Sequence, residues 1–397
     1  MEGNFKFPSR HKMILGGISV LGILFIIIGI LLSHHHTSHR IWGSFLQSSW
    51  LFLGLGLSGA VIIAIKYLAE AGWYIVLKRI MEAMSAYIPI GAALFAIPFL
   101  VYLFVDHHNI YHWTHDNLDA LLQGKTPYLN IPFFAIRMVL ILVVWILFSY
   151  LLRKFSRKED EIGGLTYYNK SYRTAAGFLP LFAVSISFGS WDWFMSLEPH
   201  WYSTIYGVYV FAGIFVGGWT LTALFAIYFQ NQGYMEEVNE HHFHDIGKFM
   251  FGMSIFWMYI WVSQFLLIWY ANIPEETMYY FIRINGPWAI LFFANIILNW
   301  AIPMLALMTN TAKKSKKVLV AVGTIMLIGR WVDLYLLIMP GAKGSNSLPT
   351  IGFIEIGFTL LLGGIFFYVI LHAFTKAAPV PKNHPYVGES KHHEIAV

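Results

Sequence analysis

The sequence contains no cysteine. The chain therefore supplies no disulfide, no thiolate ligand for zinc or an iron–sulphur cluster, and no thioether link to a haem. Charged residues are also scarce, at 12% of 397 residues, which is about half of the share in a typical soluble domain. These two deficits exclude a soluble enzyme and any redox centre that the chain would hold through cysteine.

Hydrophobic residues make up 57% of the chain and are concentrated in runs long enough to cross about 30 Å of hydrocarbon. The sequence thus predicts an all-α polytopic membrane protein with an N-terminal segment (1–12), a transmembrane domain (13–374) and a C-terminal tail (375–397). We expect the first run to be a retained helix, because no signal-cleavage pattern follows it. The predicted spans are 13–32, 48–69, 88–105, 131–152, 175–197, 204–229, 248–270, 286–308, 318–339 and 351–374.

Lysine and arginine set the expected orientation, because they are enriched on the cytoplasmic side of membrane proteins. The N-terminus, the alternate loops on the same side and the tail hold 18 of the 26 Lys and Arg residues, whereas the opposite loops hold four. We therefore expect both termini in the cytoplasm. The net charge of +5 is explained by these loops and gives no reason to expect nucleic-acid binding. The tail, rich in Pro, Lys and His, is expected to be mobile or bound to a partner.

Ionisable groups within spans are the candidates for function, since each one costs about 2.5–3.5 kcal/mol near the bilayer centre and less toward the interface. In this orientation the ionisable and carboxamide side chains within or next to the spans form two groups. The outer group is Asp106, Arg137, Asp192, Gln264, Arg330, Asp333 and Glu355, and the inner group is Lys66, Glu70, Lys248 and Asn299.

Some of these residues have a structural interpretation beside the functional one. Arg330 and Asp333 lie at i, i+3, and Lys66 and Glu70 at i, i+4, so each pair could form an ion pair within one helix. Arg137 could extend its charged end to the interface. No local partner is evident for Asp192 or Glu355, which therefore remain candidates for a proton relay or a ligand site.

The stretch GSWDWFMSLEPHWYS, residues 189–203, places three polar groups at the predicted outer end of the fifth span. Asp192 lies in the outer third of the membrane, and Glu198 and His200 lie in the short loop that follows. Carboxylates with a raised pKa in a dry site suit proton transfer. The alternative is structural, with Glu198 capping the sixth span or contacting a partner.

The 17 histidines all fall at span ends, in loops or in tails, which excludes a pair of haem ligands deep in the bundle. Two groups, His34–His36 with His39 and His241, His242 and His244, are better explained as solvated histidines than as a metal site. Any electron carrier must then be a cofactor of a partner or a diffusible molecule such as a quinone.

The segments GSWDWFMSLEPHWYSTIYGVYVFAG, HDIGKFMFGMSIFWMYIWVSQFLLIWYANIPEET and RWVDLYLLIMP resemble the NrfD-like, polysulphide-reductase-type integral membrane proteins. These form the membrane subunits of bacterial alternative complex III, a quinol:cytochrome c oxidoreductase. The likeness is strong over the fifth to ninth spans. The chain lacks the longer N-terminal region and the Gly-His-Ala-Gly segment of the larger of two paralogous subunits, and so resembles the smaller one.

The resemblance implies two four-helix bundles, formed by spans two to five and six to nine, with the first and tenth spans beside them. It implies a bacterial cytoplasmic membrane and, as partners, the paralogous membrane subunit, a multihaem cytochrome c, an iron–sulphur subunit, a monohaem cytochrome c and a terminal oxidase. Haem c and iron–sulphur clusters would be held by those partners, and menaquinol would be the electron donor.

Three functions remain open from the sequence. The chain could contribute a quinone pocket or a proton path without a redox centre of its own. It could instead be a membrane scaffold that anchors the haem and iron–sulphur subunits, with the quinol site in the larger paralogue. A transporter that works alone is disfavoured, because the likeness is to a subunit of a complex.

Overall fold

The computed structural model describes residues 3–32, 37–106, 110–344 and 347–394. The regular structure of these residues is helical, and ten helices are long and apolar enough to cross a membrane. This confirms the predicted fold class, an all-α polytopic membrane protein. The ten helices are α1 Ser9–Leu32, α2 Thr37–Leu68, α3 Ile88–Val105, α4 Ile131–Ile162, α5 Leu165–Trp193, α6 Tyr206–Asn231, α7 Glu240–Ala271, α8 Ala289–Ala306, α9 Lys316–Lys343 and α10 Phe353–Phe374.

Several helices extend further than the apolar runs predict. Helix α2 begins at Thr37 and not at 48, and α4 continues to Ile162 through a charged segment that was expected to be a loop. Helix α7 begins at Glu240, and Asn239 caps it, because the Asn239 side chain accepts a hydrogen bond from the backbone N–H of His242. A helix satisfies its own backbone hydrogen bonds in lipid and in water alike, so polar residues with good caps lengthen it beyond the hydrocarbon.

Eight of the ten helices, α2 to α9, form two closed rings of four. Helices α2, α3, α4 and α5 pack in sequence with α5 returning to α2, and α6, α7, α8 and α9 do the same with α9 returning to α6. Helix α2 joins the rings by packing against α6 and α9. Helix α10 packs on α2, and α1 packs on α10. The expected arrangement, two four-helix bundles with flanking first and last helices, is present.

Helix α1 is held against α10 by close backbone contact. A Cβ atom added at Gly22 would lie 2.4 Å from the backbone nitrogen of Leu361, and one at Gly357 would lie 2.9 Å from the backbone oxygen of Gly22. Small residues permit such an approach between helices in a membrane, where association depends on packing. These glycines therefore fix α1 to the rest of the fold.

Successive helices cross the bundle in opposite directions, so the connecting segments lie at its two ends, here called face one and face two. Face one carries the described residues of the segments 106–130, 194–205, 272–288 and 344–352, and face two carries the segments 3–8, 69–87, 163–164, 232–239, 307–315 and 375–394. Face one corresponds to the predicted outer side and face two to the predicted cytoplasmic side. On face one the short helix Pro274–Asn285 lies between α7 and α8, and on face two the short helix Lys78–Ser85 precedes α3.

The C-terminal tail packs on face two, and the expectation of a mobile or partner-bound extension is wrong for residues 376–394. The Ser390 hydroxyl donates to the backbone oxygen of Trp73 at 2.7 Å and accepts from the backbone N–H of Val76 at 3.1 Å. The Asn239 side chain donates to the backbone oxygen of His393 at 2.9 Å. The tail thereby fastens the loop after α2 to the start of α7.

Candidate functional site

Asp333 is the centre of a buried polar network in the second bundle. This residue of α9 is 4% exposed. Its carboxylate accepts hydrogen bonds from the hydroxyl of Tyr209 on α6 and from Nδ2 of Asn295 on α8, the latter at 2.9 Å. Nη1 of Arg330, one turn earlier in α9, lies 3.3 Å from Oδ2. The predicted ion pair between Arg330 and Asp333 is therefore confirmed, but three helices and not one supply its surroundings.

A π-helical turn in α8 extends the network. It spans Ile297–Ala301, and such turns commonly occur at functional sites. Nε of Arg330 donates to Oδ1 of Asn299 in this turn at 2.6 Å, and Nδ2 of Asn299 donates to Oδ1 of Asn295 at 2.6 Å. A Cβ atom at position 329 would lie 2.6 Å from Oδ1 of Asn299, so Gly329 makes this approach possible. Asn299, assigned to the inner group from the sequence, belongs with Arg330.

The guanidinium of Arg330 is only partly satisfied by these bonds. It lies over the ring of Trp257 at 4.4 Å, and its Nη2 has no hydrogen-bond partner among the described residues. A Cβ atom at Gly213, on α6, would lie 2.9 Å from Nη1, so the glycine leaves room for the charge. Buried charged donors are normally hydrogen-bonded, which makes this nitrogen a site for a water molecule.

Two small cavities border Asp333. Each has a volume of about 20 Å³, and a cavity of about 10–15 Å³ on this measure holds one water molecule. One cavity lies between α2, α6 and α9 and also touches Arg330. The other extends from Asp333 past Gln264 and Asn295 to Arg283. The sequence placed Gln264 in the outer group, and its contribution is to line this second cavity.

Arg283 connects the second cavity to face one. It lies in the short helix Pro274–Asn285, is 2% exposed, and its Nη2 lies 2.5 Å from Oε1 of Glu198. Burial alone would lower the pKa of Arg283, but Glu198 outweighs it and raises that pKa. Glu198 therefore neither caps α6 nor projects freely toward a partner. It closes an ion pair that sequence spacing does not reveal, since 85 positions separate the two residues.

Beyond Glu198 lies an open pocket on face one with a volume of about 200 Å³. Its lining includes His112, His200 and Glu275. Nε2 of His200 lies 2.6 Å from Oδ2 of Asp119, and both side chains are about half exposed. The expectation that His200 lies at a surface is confirmed. Burial lowers the pKa of His112, so this imidazole is neutral at pH 7.

Asp192 does have a partner, contrary to what the sequence suggested. Nε and Nη2 of Arg137, on α4, bind its two carboxylate oxygens at 2.6 and 3.0 Å. Arg137 also donates to the backbone oxygen of Tyr128 at 3.0 Å and stacks on that ring at 3.9 Å. The prediction that Arg137 extends outward is wrong, because its side chain is buried against Asp192 and aromatic rings.

Glu355 is paired in the same way. Nε and Nη2 of Arg40, at the start of α2, each lie 2.6 Å from one of its carboxylate oxygens. The backbone N–H of Gly352 donates to the same carboxylate at 2.9 Å. The bidentate pair joins α2 to α10 on face one. Asp106, also in the outer group, ends α3 and accepts from the hydroxyl of Ser38 at 3.5 Å.

The predicted ion pair between Lys66 and Glu70 is wrong. Helix α2 ends at Leu68, and Glu70 has a positive φ of 47°, so the two side chains do not share a helical face. Nζ of Lys66 instead lies over three aromatic rings, which are those of Phe249 at 4.0 Å, Trp73 at 4.7 Å and Trp219 at 5.2 Å. Lys248, half exposed, pairs with Asp245 at 3.0 Å.

Sequence reasoning missed a buried charge cluster on face two. Nζ of Lys78 donates to the hydroxyl oxygen of Tyr67 at 2.6 Å and to Oε2 of Glu159 at 3.3 Å. Nε2 of His384, in the tail, lies 3.7 Å from Oε1 of Glu159. Burial lowers the pKa of His384 to about 2. The segment KRIMEAMS does carry a helical signal, since Lys78 and Glu82 lie at i, i+4.

The histidines on face two are less solvated than expected. His242 is fully buried and His244 is 5% exposed, because His242 caps α7 and its Nε2 lies 3.0 Å from the backbone oxygen of Ser390. His34–His36 lie outside the described residues. Within the described residues no group of three or more His, Asp or Glu side chains is arranged to hold a metal ion.

No protein-family model matches the chain, and no curated protein matches it.

Proposed function

We propose that the chain is a membrane subunit of a bacterial respiratory quinol:cytochrome c oxidoreductase, and that its own contribution is a proton path through the second bundle. The proposal combines the motif resemblance to the smaller NrfD-like subunit of alternative complex III, quinone-binding subunit 2, with the polar network around Asp333. It places the protein in the cytoplasmic membrane with face two toward the cytoplasm, as the Lys and Arg distribution favours.

The Asp333 network is the observation that carries the proposal. A carboxylate, a guanidinium and two carboxamides lie within the membrane span, where each ionised group is costly unless it pairs. Asp333 and Arg330 pair with each other, but a cavity large enough for one water molecule borders both, and a second of the same volume borders Asp333. A purely structural pair is better served by dry packing, because waters at the site loosen it. Ionisable groups with water-sized cavities are what a proton relay requires.

The order of groups suggests the direction of the path. Asp333 accepts a proton from the interior, with the Tyr209 hydroxyl and Asn295 amide holding its carboxylate in place. Water in the cavity beside Gln264 carries the proton toward Arg283. Glu198 is the carboxylate at the exit, and it lines the pocket on face one. Arg283 holds it by one short bond at 2.5 Å and a longer one at 3.5 Å, so its second carboxylate oxygen is less closely bound than those of Asp192 and Glu355. Arg283 stays protonated throughout, since an arginine side chain does not release its proton in proteins.

A quinol site at the carboxylates first considered does not fit this geometry. Asp192 and Glu355 each make two short bonds to an arginine, and these bonds occupy the carboxylate oxygens that a quinol hydroxyl would need. We therefore derive no step of quinol oxidation on this chain. Menaquinol oxidation, haem c and the iron–sulphur clusters belong to the proposed partners, which are the larger paralogue, a multihaem cytochrome c, an iron–sulphur subunit, a monohaem cytochrome c and a terminal oxidase.

The competing function is a scaffold for those partners. The pairs Arg137–Asp192 and Arg40–Glu355 favour it, because both join helices near face one, where the peripheral subunits would dock. Under this alternative the Asp333 network would also be structural. The two functions differ in a measurable way, since only the proton path requires the negative charge of Asp333.

The test is Asp333→Asn in the complex purified through this chain and reconstituted into vesicles. The substitution keeps the size and one hydrogen-bond acceptor of the side chain but removes the charge. We expect intact assembly, judged by haem and iron content, with the rate of proton release during turnover reduced by about 100-fold, the lower end of what positioned acid–base groups contribute to a rate. Proton release is read from a pH-sensitive dye during quinol:cytochrome c turnover.

Asp192→Asn is the matched control, because it removes a buried carboxylate from the other bundle. It is expected to leave the rate of proton release unchanged. Unchanged proton release in Asp333→Asn, with assembly intact, would reject the path and favour the scaffold. Purification of the chain alone, without haem or iron, would reject membership of the complex.

A further inference from the structure

An apolar groove runs along the side of the bundle near face two. It has a volume of about 310 Å³, within the range of small-molecule sites, about 300–1,000 Å³. Helix α1 forms one wall, and α6, α9 and α10 form the other. Nearly all of its lining is aliphatic or aromatic, and it includes Leu15, Leu224, Leu327 and Phe367.

The groove has one polar feature, a histidine–tyrosine pair near its face-two end. Nδ1 of His11 lies 2.7 Å from the hydroxyl oxygen of Tyr228, and both residues are partly buried. We assign the hydroxyl as donor to Nδ1, so the neutral imidazole carries its proton on Nε2. The pair then offers a hydrogen-bond donor at the end of an apolar channel, which suits a carbonyl oxygen attached to a long hydrocarbon chain.

Positive charge surrounds this end of the groove. Arg10 and Lys12 flank His11, and their side chains are exposed. Lys6 lies one turn before them. Residues 3–32 contain no Asp or Glu, so the described residues of α1 and of the segment before it supply no carboxylate to neutralise these cations. A ligand with its polar end at His11 therefore meets a field that favours a negative charge.

We propose that the groove binds one anionic phospholipid. An acyl chain fills the channel along Leu224 and Phe367, an ester carbonyl accepts from Nε2 of His11, and the phosphate lies between Arg10 and Lys12. A neutral isoprenoid would use the channel and the histidine but would gain nothing from the two cations. The inference is independent of the proposed proton path, because it depends on α1 and α6 near face two and not on Asp333.

The experiment titrates the detergent-purified complex with phosphatidylglycerol and measures bound lipid by native mass spectrometry. Phosphatidylcholine serves as the zwitterionic comparison. Arg10→Gln combined with Lys12→Gln is expected to weaken phosphatidylglycerol binding by about 25-fold, at about fivefold for each basic residue near an anionic headgroup. Leu224→Trp is expected to abolish it, since the larger side chain fills the channel.

Lys316→Gln combined with Lys317→Gln is the matched control, because these two lysines lie on the same face at the start of α9. It is expected to leave binding unchanged. Equal binding of both lipids, or equal losses in the Arg10/Lys12 and Lys316/Lys317 variants, would overturn the proposal and leave ordinary lipid contact only. An organic extract that contains a quinone in place of the phospholipid, at one per chain, would also overturn it.

Discussion

The pair of Arg137 and Asp192 allows a quantitative test of what holds the first bundle together. Arg137 is 8% exposed and Asp192 is 0% exposed, and two short bonds join them between α4 and α5. Removal of either partner leaves the other as an unpaired charge in an apolar setting. We expect Arg137→Met or Asp192→Leu alone to lower the free energy of unfolding by about 3 kcal/mol.

The double variant is expected to recover most of this loss. When both charges are replaced by apolar groups of similar size, neither is left unpaired, and such replacements are often nearly neutral. Two independent losses of about 3 kcal/mol would add to about 6, whereas we expect the double variant to lose less than about 2. The difference of about 4 kcal/mol is close to a thousandfold change in the ratio of folded to unfolded protein.

The assay is a double-mutant cycle by reversible unfolding in mixed micelles of dodecyl maltoside and SDS, followed by tryptophan fluorescence. Leu181→Ala, on the exposed side of α5, controls for substitutions on this helix and is expected to change little. Additive losses in the double variant would refute the reasoning, because the two side chains would then stabilise the fold independently of each other.

Two further predictions concern the tail and helix α1. Burial lowers the pKa of His384 to about 2, so the docked tail holds a neutral imidazole. The free energy that holds the tail on face two should be fully present above the unfolded pKa of about 6.5. It should fall by up to about 1.4 kcal/mol per pH unit below that pH. Limited proteolysis of the tail should therefore accelerate below pH 6.5. His384→Gln should remove this pH dependence, and His392→Gln should not. Cleavage of the unmodified chain at a rate independent of pH would contradict this prediction. For α1, Gly22→Ile should detach the helix from α10, since a Cβ atom there would lie 2.4 Å from backbone, whereas Gly16→Ile should not, since that site is open. Cysteine cross-linking between α1 and α10 measures this contact, and equal yields in both variants would refute it.

The helices were predictable because lipid leaves a spanning segment few alternatives. A backbone without water must satisfy its own hydrogen bonds, so a long apolar run becomes a helix whatever its neighbours are. The ends of the helices were less predictable, as α4 shows. Its last turns carry the charges of RKFSRKEDE, where Glu159 is buried under the tail and not solvated. That burial depends on His384, more than 200 positions away, which no local pattern reports.

Ion pairs within one helix and between helices differ in what the sequence reveals. Arg330 and Asp333 were paired correctly because i, i+3 spacing fixes their distance once the helix is known. The same logic failed for Lys66, since it assumed that α2 continues to Glu70. Arg137 and Asp192 are 55 positions apart, and the register of two packed helices depends on every side chain between them.

This difference bears on how functional carboxylates are identified in membrane proteins. From the sequence, Asp192 and Glu355 were the strongest candidates because no local partner was evident, and Asp333 was the weaker one because Arg330 was near. The structure reverses the order. Each of the first two makes two bonds to one arginine. Asp333 instead lies between two cavities, and Nη2 of its partner Arg330 has no hydrogen-bond partner among the described residues. A carboxylate is therefore a stronger relay candidate when water can reach its ion pair than when its partner is merely absent from the local sequence.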